Sequence, residues 1–480
     1  MTLNIRHGNY IHGAWLEARD NETMIVRDKY NHSVLARLPL ASDSEIEAAI
    51  QSAHAGFQVI RNWTAGQRAQ YLHELCDGLE KNRAQLVDII VSEAGKPRSY
   101  AEAEVNRCLV TLFNAATETV RITGETVPID FDGGSGKIAF TQRFPIGPVL
   151  CITPFNFPLN LVLHKVAPAL ACGCSVIVKP APQAPLSALF LAELIDQVGY
   201  PPGVANFVNC AIPQAETMVR DERIAMISFT GSEKVGWHLK NICGPKKVAL
   251  ELGGNGAVII DDLGPDQDLR AIAKSVANGA FLYAGQICIS VQRIYVVESQ
   301  FEMFRDLLIE EAQNLVCGDP NEPNTLVGPM IEKVHLDRVS TWVDEALAQG
   351  AQLLMGGAVL DADHHLYQPT LLTGTQKGMK VVDEEVFGPV AILESVPDFS
   401  AAINRVNDSK FGLQAGVYTQ NLAHMKQAHR ELEVGGIMIN NVPGFRIDTM
   451  PYGGVKMSGL GREGIQYAIQ EMTEPRLLIY

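Results

Sequence analysis

Between residues 148 and 252 the chain alternates short apolar runs with segments of helical periodicity. Five of the apolar runs have the length of a strand: PVLCI, CSVIVK, VANFVN, RIAMISFT and KVALEL. Helical segments such as LNLVLHKVAPALA and LSALFLAELIDQV separate them. Strands that alternate with helices of this length form βαβ units around a parallel sheet. A second set of the same kind begins near Gly253, so we predict an α/β fold of two doubly wound lobes.

Two further stretches fit neither lobe. Residues 128–143, PIDFDGGSGKIAFTQR, are glycine-rich and then alternating, which predicts a hairpin that leaves the main body. The final residues, RLLIY, have the composition of a strand. Residues 42–60 begin with a Ser-Asp capping cluster and predict a helix, and residues 101–125 predict one long helix. We therefore expect a small β arm in addition to the two lobes.

Composition excludes several classes of protein. The 480 residues exceed what one hydrophobic core supports, so we expect two or three domains. A net charge of −15 and the lack of any Lys/Arg run argue against a nucleic-acid or membrane-surface partner. No stretch approaches the roughly 18 continuous apolar residues of a membrane span, and MTLNIRHGNYIHGAW lacks the apolar region of a signal peptide. These features predict a cytoplasmic protein.

The cysteines predict neither disulfides nor a metal site. Nine of them are scattered along the chain, an odd number at low density, which indicates reduced thiols. Cys172 and Cys174 form a C-x-C pair without the second pair that zinc spacing requires, and no HExxH is present. Most cysteines in such a chain are small core residues. Assigning chemistry to one of them requires a base and an oxyanion donor elsewhere in the chain.

A parallel sheet of this length suggests a nucleotide ligand. The G-x-G-x-x-G pattern at 459–464 lies too near the C-terminus to begin a βαβ unit, so we reject it. In FTGSEKVG a strand ends, Gly231 makes the turn and a helix begins near Ser232, which directs backbone N–H groups at an anion. An ordinary βα turn has the same pattern. Lys179 ends another strand, and it is either a cofactor contact or a solvated loop lysine.

Five separated motifs, read together, indicate a family. They are ITPFNFP (152–158), LELGG (250–254), AGQIC (284–288), EEVFGP (384–389) and PYGGVKMSG (451–459). Their order, residue types and spacing resemble the aldehyde dehydrogenase superfamily along essentially the whole chain. The segments YAGQICISVQRIYV and FRIDTMPYGGVK resemble the branch that contains lactaldehyde and non-phosphorylating glyceraldehyde-phosphate dehydrogenases.

The resemblance implies three catalytic residues. Cys288 is expected to attack the aldehyde as the nucleophile and form a thiohemiacetal, which suits a thiol near neutral pH. Asn156 is expected to donate to the oxyanion together with the Cys288 backbone N–H, since a neutral amide donor suits charge that appears only in the transition state. Glu251 is expected to activate the water that hydrolyses the thioester. Taken alone, Glu251 would pass for a solvent-facing strand end.

The resemblance also implies binding of NAD or NADP. The residues expected to contact the cofactor are Thr153, Pro154, Phe155, Lys179, Pro182, Gly231, Ser232, Glu385 and Phe387. Many NAD-using members carry a Glu three positions after the strand-end lysine, where it bonds the 2′-hydroxyl. Here that position is Pro182, so no carboxylate repels a 2′-phosphate. The sequence therefore leaves NAD and NADP open.

Domain organisation follows from the same resemblance. We expect residues 1–122 and 143–252 to form the dinucleotide-binding domain and residues 253–457 the catalytic domain. Residues 123–142 and 458–480 are expected to form an oligomerisation arm, which predicts a homodimer or homotetramer.

The substrate is expected to be a small aldehyde of unspecified type. Arg107 and Arg446 are candidates for holding an anionic group at its far end, although Arg107 would also fit a solvated helix surface. Ile287 precedes the nucleophile where members that act on phosphorylated aldehydes often carry Arg, which weakens that reading.

Three alternatives remain at this point. A CoA-acylating dehydrogenase would resolve the thioester with a thiol, but such members usually lack the Glu at position 251. A non-catalytic protein on the same fold would not need Cys288, Glu251 and Asn156 together. A cysteine hydrolase would need a histidine base, and His164 is the only histidine near a motif.

Overall fold

The strands form two large sheets and several small ones in this computed structural model, which describes residues 5–17, 22–264 and 267–480. The strands are β1 (Asn9–Ile11), β2 (Ala14–Leu16), β3 (Thr23–Arg27), β4 (Val34–Pro39), β5 (Thr126–Val127), β6 (Ala139–Pro145), β7 (Val149–Ile152), β8 (Val176–Lys179), β9 (Ala205–Phe207), β10 (Met226–Thr230), β11 (Lys247–Glu251), β12 (Ala257–Ile260), β13 (Arg293–Val297), β14 (Gln352–Met355), β15 (Val359–Asp361), β16 (Leu366–Tyr367), β17 (Thr370–Thr373), β18 (Val390–Val396), β19 (Phe411–Gly412), β20 (Gln414–Tyr418), β21 (Gly436–Ile439), β22 (Val455–Lys456), β23 (Gly459–Leu460) and β24 (Thr473–Ile479).

Helices connect these strands. They are α1 (Asp43–Ile60), α2 (Ala65–Lys81), α3 (Arg83–Ala94), α4 (Arg98–Thr119), α5 (Asn160–Cys172), α6 (Leu186–Val198), α7 (Ile212–Arg220), α8 (Glu233–Ile242), α9 (Leu269–Phe281), α10 (Glu298–Gln313), α11 (Lys333–Ala348), α12 (Lys380–Asp383), α13 (Phe399–Asn407), α14 (Leu422–Glu431) and α15 (Ile465–Glu471). Ser42 and Glu45 form the capping box that the sequence predicts at the start of α1. The helix predicted over 101–125 begins earlier and ends at Thr119, ahead of the extended segment of β5.

The first lobe contains an eight-stranded sheet in the order β2-β1-β9-β8-β7-β10-β11-β23. The pairs from β9 to β11 are parallel, and the edge strands pair antiparallel. Every residue of β7 and of the helix α5 that follows it is buried. Continuous apolar burial of this kind is expected where helices cover both faces of a parallel sheet.

The second lobe contains a seven-stranded sheet in the order β14-β17-β18-β13-β12-β20-β21. All its pairs are parallel except β14 with β17. The two sheets confirm the predicted α/β class with two doubly wound lobes. Within the described ranges no helix is long and apolar enough to cross a membrane.

A third sheet of three strands, β24-β6-β5, stands apart from both lobes. Its central strand pairs with β24 from Ala139 to Pro145, and β5 pairs on the other side. The predicted arm segment 458–480 is divided, because β23 pairs with β11 and the apolar side chains of α15 pack into the first lobe. The domain boundaries themselves stay a prediction.

Candidate active site

The strands β7, β8, β10 and β11 end at the same edge of the first sheet, and predicted site residues lie at or just after each of these ends. In the parallel register, Ile152 lies beside Lys179 on one side and Phe229 on the other. Thr230 lies beside Glu251 at the end of the next pair. Asn156 follows β7 by four residues, and Gly231 follows β10 directly. The carboxyl edge therefore holds the sites where ligands of doubly wound sheets bind.

Cys288 lies in the second lobe, on the loop that connects α9 to β13. Tyr283 and Ala284 both have φ of 53°, in the left-handed region that costs non-glycine residues about 1–2 kcal/mol each. The Gln286 side chain fixes this turn: its amide donates to the carbonyls of Tyr283 and Pro329, and its oxygen accepts from the Ile331 N–H at 2.9 Å. The strained loop is thus held by buried hydrogen bonds next to the thiol.

A pocket of about 550 Å³ opens at Cys288. Its walls come from α4, α9 and the segment 442–452, so both lobes contribute to it. The lining includes Tyr100, Glu104, Arg107, Phe157, Lys274, Ser275, Asn278, Ile287, Cys288, Arg446 and Tyr452. A cleft of this size accommodates a small-molecule substrate.

In the part of the chain that the structure describes, the Cys288 thiol has one hydrogen-bond partner, the hydroxyl of Tyr452, at 3.1 Å between Sγ and Oη. Burial raises the pKa of the thiol to about 11, and the Tyr452 hydrogen bond acts in the opposite direction. The other eight cysteines, all within the described residues, are free thiols as well. Cys288 differs from them because it lines the pocket.

Two N–H donors around residues 286–288 have unused hydrogen-bonding capacity. The buried Asn156 side chain donates one Nδ2 hydrogen to the Gln286 carbonyl at 3.0 Å, which leaves its second hydrogen for another acceptor. Within the described residues, the Cys288 backbone N–H has no acceptor. These are the two donors that the sequence predicts for an oxyanion.

Glu251 is a buried carboxylate without partners. Both its oxygens lack a hydrogen bond among the described residues, and its exposed fraction is 3%. Burial raises its pKa well above the usual range, and the neighbouring Glu463 raises it further. A Cβ on Gly453 would lie 2.9 Å from one carboxylate oxygen, so a glycine is needed for the close approach. A carboxyl group with a raised pKa can accept a proton at neutral pH.

A network of ion pairs lies beneath the pocket. Lys165 donates to Glu463 at 2.7 Å and to the Thr230 hydroxyl at 2.7 Å, and Arg446 donates to the second Glu463 oxygen at 3.1 Å. Burial alone would raise the pKa of Glu463, but Lys165 and Arg446 outweigh it and lower the pKa to about 2. Glu463 is therefore a fixed negative charge.

The network continues through Asp448 to Arg107. His164 Nε2 lies 2.9 Å from the Asp448 carboxylate, and the Arg107 guanidinium donates to the same oxygen at 2.6 Å. Burial and Arg446 lower the pKa of His164. A neutral His164 that donates from Nε2 can accept from Arg446 at Nδ1, 3.3 Å away. Arg107 and Arg446 thus line the pocket while each is neutralised by a carboxylate.

The predicted cofactor residues lie along the carboxyl edge and on the opposite lobe. Within the described ranges, Thr153 Oγ1 is buried without a partner, and the Lys179 ammonium bonds only to the Pro180 carbonyl at 3.3 Å. Ser232 is the N-cap of α8, and its side chain does not cap the helix, so the first N–H groups of α8 stay available. Pro182 is exposed, and Pro154 is half-buried.

Glu385 and Phe387 reach this edge from the second lobe. Glu385 accepts from the Gly254 N–H at 3.0 Å, and burial raises its pKa to about 7. The ring of Phe387 meets that of Phe155 edge-to-face, with 5.8 Å between the centroids. Motifs more than 200 residues apart in the sequence therefore converge on one groove.

The comparisons with known proteins decide the family. A model of the aldehyde dehydrogenase family matches residues 15–478. The chain belongs to the aldehyde dehydrogenase family. It is an oxidoreductase that acts on aldehydes, as the motifs predict.

Three relatives of this aldehyde dehydrogenase fall in the predicted branch. 3-Sulfolactaldehyde dehydrogenase from Priestia aryabhattai is 39% identical over 476 residues, which cover 99% of this chain and 98% of the relative. Lactaldehyde dehydrogenase from Methanococcus aeolicus is 35% identical, with 98% and 99% covered. The structure of glyceraldehyde-3-phosphate dehydrogenase from Methanocaldococcus jannaschii, complexed with NADP, has a TM-score of 0.91 at 36% identity, with 96% and 100% covered.

Sequence reasoning missed several residues of this aldehyde dehydrogenase site. Tyr452 was part of a quoted motif but had no role, and Glu463 lies inside the rejected G-x-G-x-x-G pattern. Lys274 on α9 is a further residue that the sequence analysis does not name. Its signal was present, because residues 271, 274, 275 and 278 of α9 share one face at helical spacing and all line the pocket.

Proposed function

We propose that the protein oxidises an aldehyde to its carboxylic acid with NAD or NADP, and that water resolves the intermediate thioester. The observation that carries this proposal is Glu251, a buried carboxylate with both oxygens unpartnered. Natural proteins rarely leave such a group unpaired unless chemistry needs it. Cys288, which lines the pocket, supplies the nucleophile.

Residues from both lobes would hold the cofactor. Lys179 and Thr153 carry polar atoms with few or no protein partners, and the N-terminus of α8 offers N–H groups to a pyrophosphate. Glu385 would bond a ribose hydroxyl, and Phe387 would lie beside the nicotinamide. When bound, NAD or NADP accepts the hydride of the aldehyde carbon.

Cys288 and Asn156 act first. The Cys288 thiol loses its proton and its sulfur bonds to the carbonyl carbon, which makes a thiohemiacetal and places negative charge on the former aldehyde oxygen. The free Nδ2 hydrogen of Asn156 and the Cys288 backbone N–H then donate to that oxygen. Loss of the hydride leaves a thioester on Cys288.

Glu251 acts second. Its carboxylate accepts a proton from water, whose oxygen attacks the thioester and releases the acid and the free thiol. The fixed charge of Glu463 favours proton uptake by Glu251, because two negative charges in a dry site repel each other. This base favours hydrolysis over transfer to CoA.

The contacts of His164 and Cys288 do not support the alternative of a cysteine hydrolase. His164 bonds to Asp448 and Arg446, whereas the Cys288 thiol bonds to Tyr452. A hydrolase of this class would need an imidazole in contact with the thiol.

The substrate class we propose is a short aldehyde with an anionic far end. Arg107, Arg446 and Lys274 line the pocket, and the one carboxylate in the lining, Glu104, is already paired with Lys96. Sulfolactaldehyde and glyceraldehyde 3-phosphate, named for two relatives, are anionic aldehydes. Lactaldehyde, named for the third, is neutral, so the preference needs a direct test.

We also propose a homodimer or homotetramer in the cytoplasm. The third sheet exposes a row of apolar side chains on its last strand, among them Leu477, Leu478 and Ile479, each about half exposed. Unpaired strand edges with exposed apolar residues favour association with a second copy. Nine free thiols favour a reducing compartment.

Cys288→Ala tests the nucleophile. Aldehyde oxidation should fall more than about a thousandfold, because no other thiol lines the pocket, while cofactor binding should persist. Cys317→Ala, which changes a half-buried cysteine outside the pocket, is the matched control. Turnover by the Cys288 variant close to that of the control would refute the assignment. Adding CoA to the parent enzyme should not raise its rate.

Pro182→Glu tests the adenosine end of the cofactor groove. The exposed position follows Lys179, and the added carboxylate would repel a 2′-phosphate and accept from a 2′-hydroxyl. The ratio of kcat/KM for NAD over NADP should rise about tenfold. An unchanged ratio would show that this loop does not line the ribose.

A further inference from the structure

The only side-chain partner of the Cys288 thiol among the described residues is a phenol. Tyr452 is 2% exposed, and its hydroxyl oxygen lies 3.1 Å from Sγ. A phenolic O–H can donate to sulfur, and a donor stabilises a thiolate more than a neutral thiol because the hydrogen bond is then charge-assisted. The contact therefore acts on the reacting atom itself.

Arg446 and Glu463 hold Tyr452 in this position. The guanidinium carbon of Arg446 lies 3.7 Å from the centroid of the Tyr452 ring, and Glu463 fixes that guanidinium by a hydrogen bond of 3.1 Å. The backbones of Tyr452 and Glu463 also exchange two hydrogen bonds, at 3.0 and 2.7 Å. A cation on the ring face draws electron density from the phenol, which makes the hydroxyl a better donor.

We propose that Tyr452 is a further catalytic residue that donates a hydrogen bond to the Cys288 thiolate and thereby generates the nucleophile. The proposal rests on the function argued above, in which Cys288 attacks the aldehyde. The thiol proton leaves to solvent, the Tyr452 proton stays on its oxygen, and the hydrogen bond is released as sulfur bonds to the carbonyl carbon. Burial raises the pKa of Tyr452 well above its usual value, so the phenol remains a donor.

This role opposes the effect of burial on the thiol. Burial alone leaves very little thiolate at neutral pH, and Glu385 and Glu251 add negative charge nearby that disfavours it. Tyr452 supplies the direct hydrogen bond that opposes this, and Arg446 adds positive charge on the far side of the ring.

Tyr452→Phe is the test, with alkylation of Cys288 by iodoacetamide followed as a function of pH in the full-length enzyme. The pH at which alkylation is half-maximal should rise by about one to two units, and kcat/KM at neutral pH should fall about ten- to a hundredfold. KM should change less than kcat, because the hydroxyl bonds the nucleophile and not the substrate. Tyr30→Phe, which changes a tyrosine that stacks on His364 outside the pocket, should leave both unchanged.

Two outcomes would overturn the proposal: an unchanged alkylation profile in Tyr452→Phe, or an equal shift in Tyr30→Phe. If the Phe variant does not fold, 3-fluorotyrosine at position 452 keeps the test open, because its more acidic hydroxyl should move the profile to lower pH. Failure of the underlying function would look different, since alkylation of the parent enzyme would then leave its activity intact.

Discussion

Two buried carboxylates of the active site, Glu251 and Glu463, have opposite surroundings. Both are 3% exposed. Glu463 is paired with Lys165 and Arg446, which lower its pKa to about 2. Glu251 has a raised pKa and no hydrogen-bond partner among the residues that the structure describes. Burial is therefore the same in both, and partners alone decide which carboxylate is a fixed charge and which has a raised pKa.

The difference extends to the side chains around each of them. Burial and Glu251 both raise the pKa of Cys288, and donors beside Cys288 are unused: among the described residues the Cys288 N–H lacks an acceptor, and Asn156 keeps a free N–H. Around Glu463 every formal charge of the network meets an opposite charge, as Arg107 does at Asp448. The satisfied network stabilises the fold, and the unsatisfied side is kept for substrate.

Glu463→Gln should have the largest effect of these variants, a loss of stability. Lys165 and Arg446 would stay buried without their counter-charge, which costs about 3–5 kcal/mol of the free energy of unfolding. Urea unfolding measures it. Glu474→Gln is the control, because Glu474 forms only an exposed pair with Lys247 at 3.5 Å, worth about 1 kcal/mol or less. Equal losses in both variants would mean that the network contributes no more than a surface pair.

Glu251→Gln should increase the free energy of unfolding, which is the opposite of the effect of Glu463→Gln. The folded protein raises the pKa of Glu251, so the stability that the protonated carboxyl contributes is present at acid pH and lost as the pH rises above its unfolded value. The free energy of unfolding of the variant, relative to that of the parent, should therefore rise by about 1–3 kcal/mol between about pH 5 and pH 8. A gain that does not depend on pH would contradict the raised pKa.

The pH profile of Glu463→Gln sharpens the contrast. The native pKa of Glu463 is lowered to about 2, so its carboxylate stabilises the fold above an unfolded pKa near 4.5. The deficit of the variant should stay constant from about pH 8 to pH 5 and shrink as the pH falls from about 4.5 towards 2. Unfolding curves at several pH values check it, and a deficit that grows towards acid would have the wrong sign.

Lys274→Gln should have the smallest effect, on specificity alone. Lys274 is exposed, lines the pocket and has no ion-pair partner within the described chain, unlike Arg107 and Arg446. Its loss should lower kcat/KM about tenfold for a sulfonate or phosphate aldehyde and leave a neutral aldehyde of equal length unchanged. Lys426→Gln, on the distant helix α14, is the control. Equal losses on both aldehydes would remove Lys274 from substrate binding.

Much of this arrangement could be predicted from the sequence, because motif residues sit at strand ends. The runs that end at Ile152, Lys179, Thr230 and Glu251 are strands as predicted, and a parallel sheet brings their ends to one edge. The arm was predicted from its alternation and its glycines. These are local signals of period, length and turn residues.

The ion network could not be predicted in the same way. His164 and Asp448 lie 284 positions apart, and Lys165 and Glu463 lie 298 apart, so nothing local indicates that they meet. The partner of a buried charge depends on how the two lobes pack. For the same reason the sequence named Glu251 as a base without showing that it lacks partners, and it left Tyr452 without a role.

The central claim is that the unpartnered Glu251 hydrolyses the thioester after Cys288 has reacted. Rapid mixing of Glu251→Gln with aldehyde and cofactor, read as absorbance of the reduced cofactor, tests it most directly. The claim predicts a burst of about one equivalent per active site, followed by turnover slowed about a hundredfold or more. A variant without a burst would show that Glu251 acts before the thioester forms, and one with parental turnover would show that it is not the base.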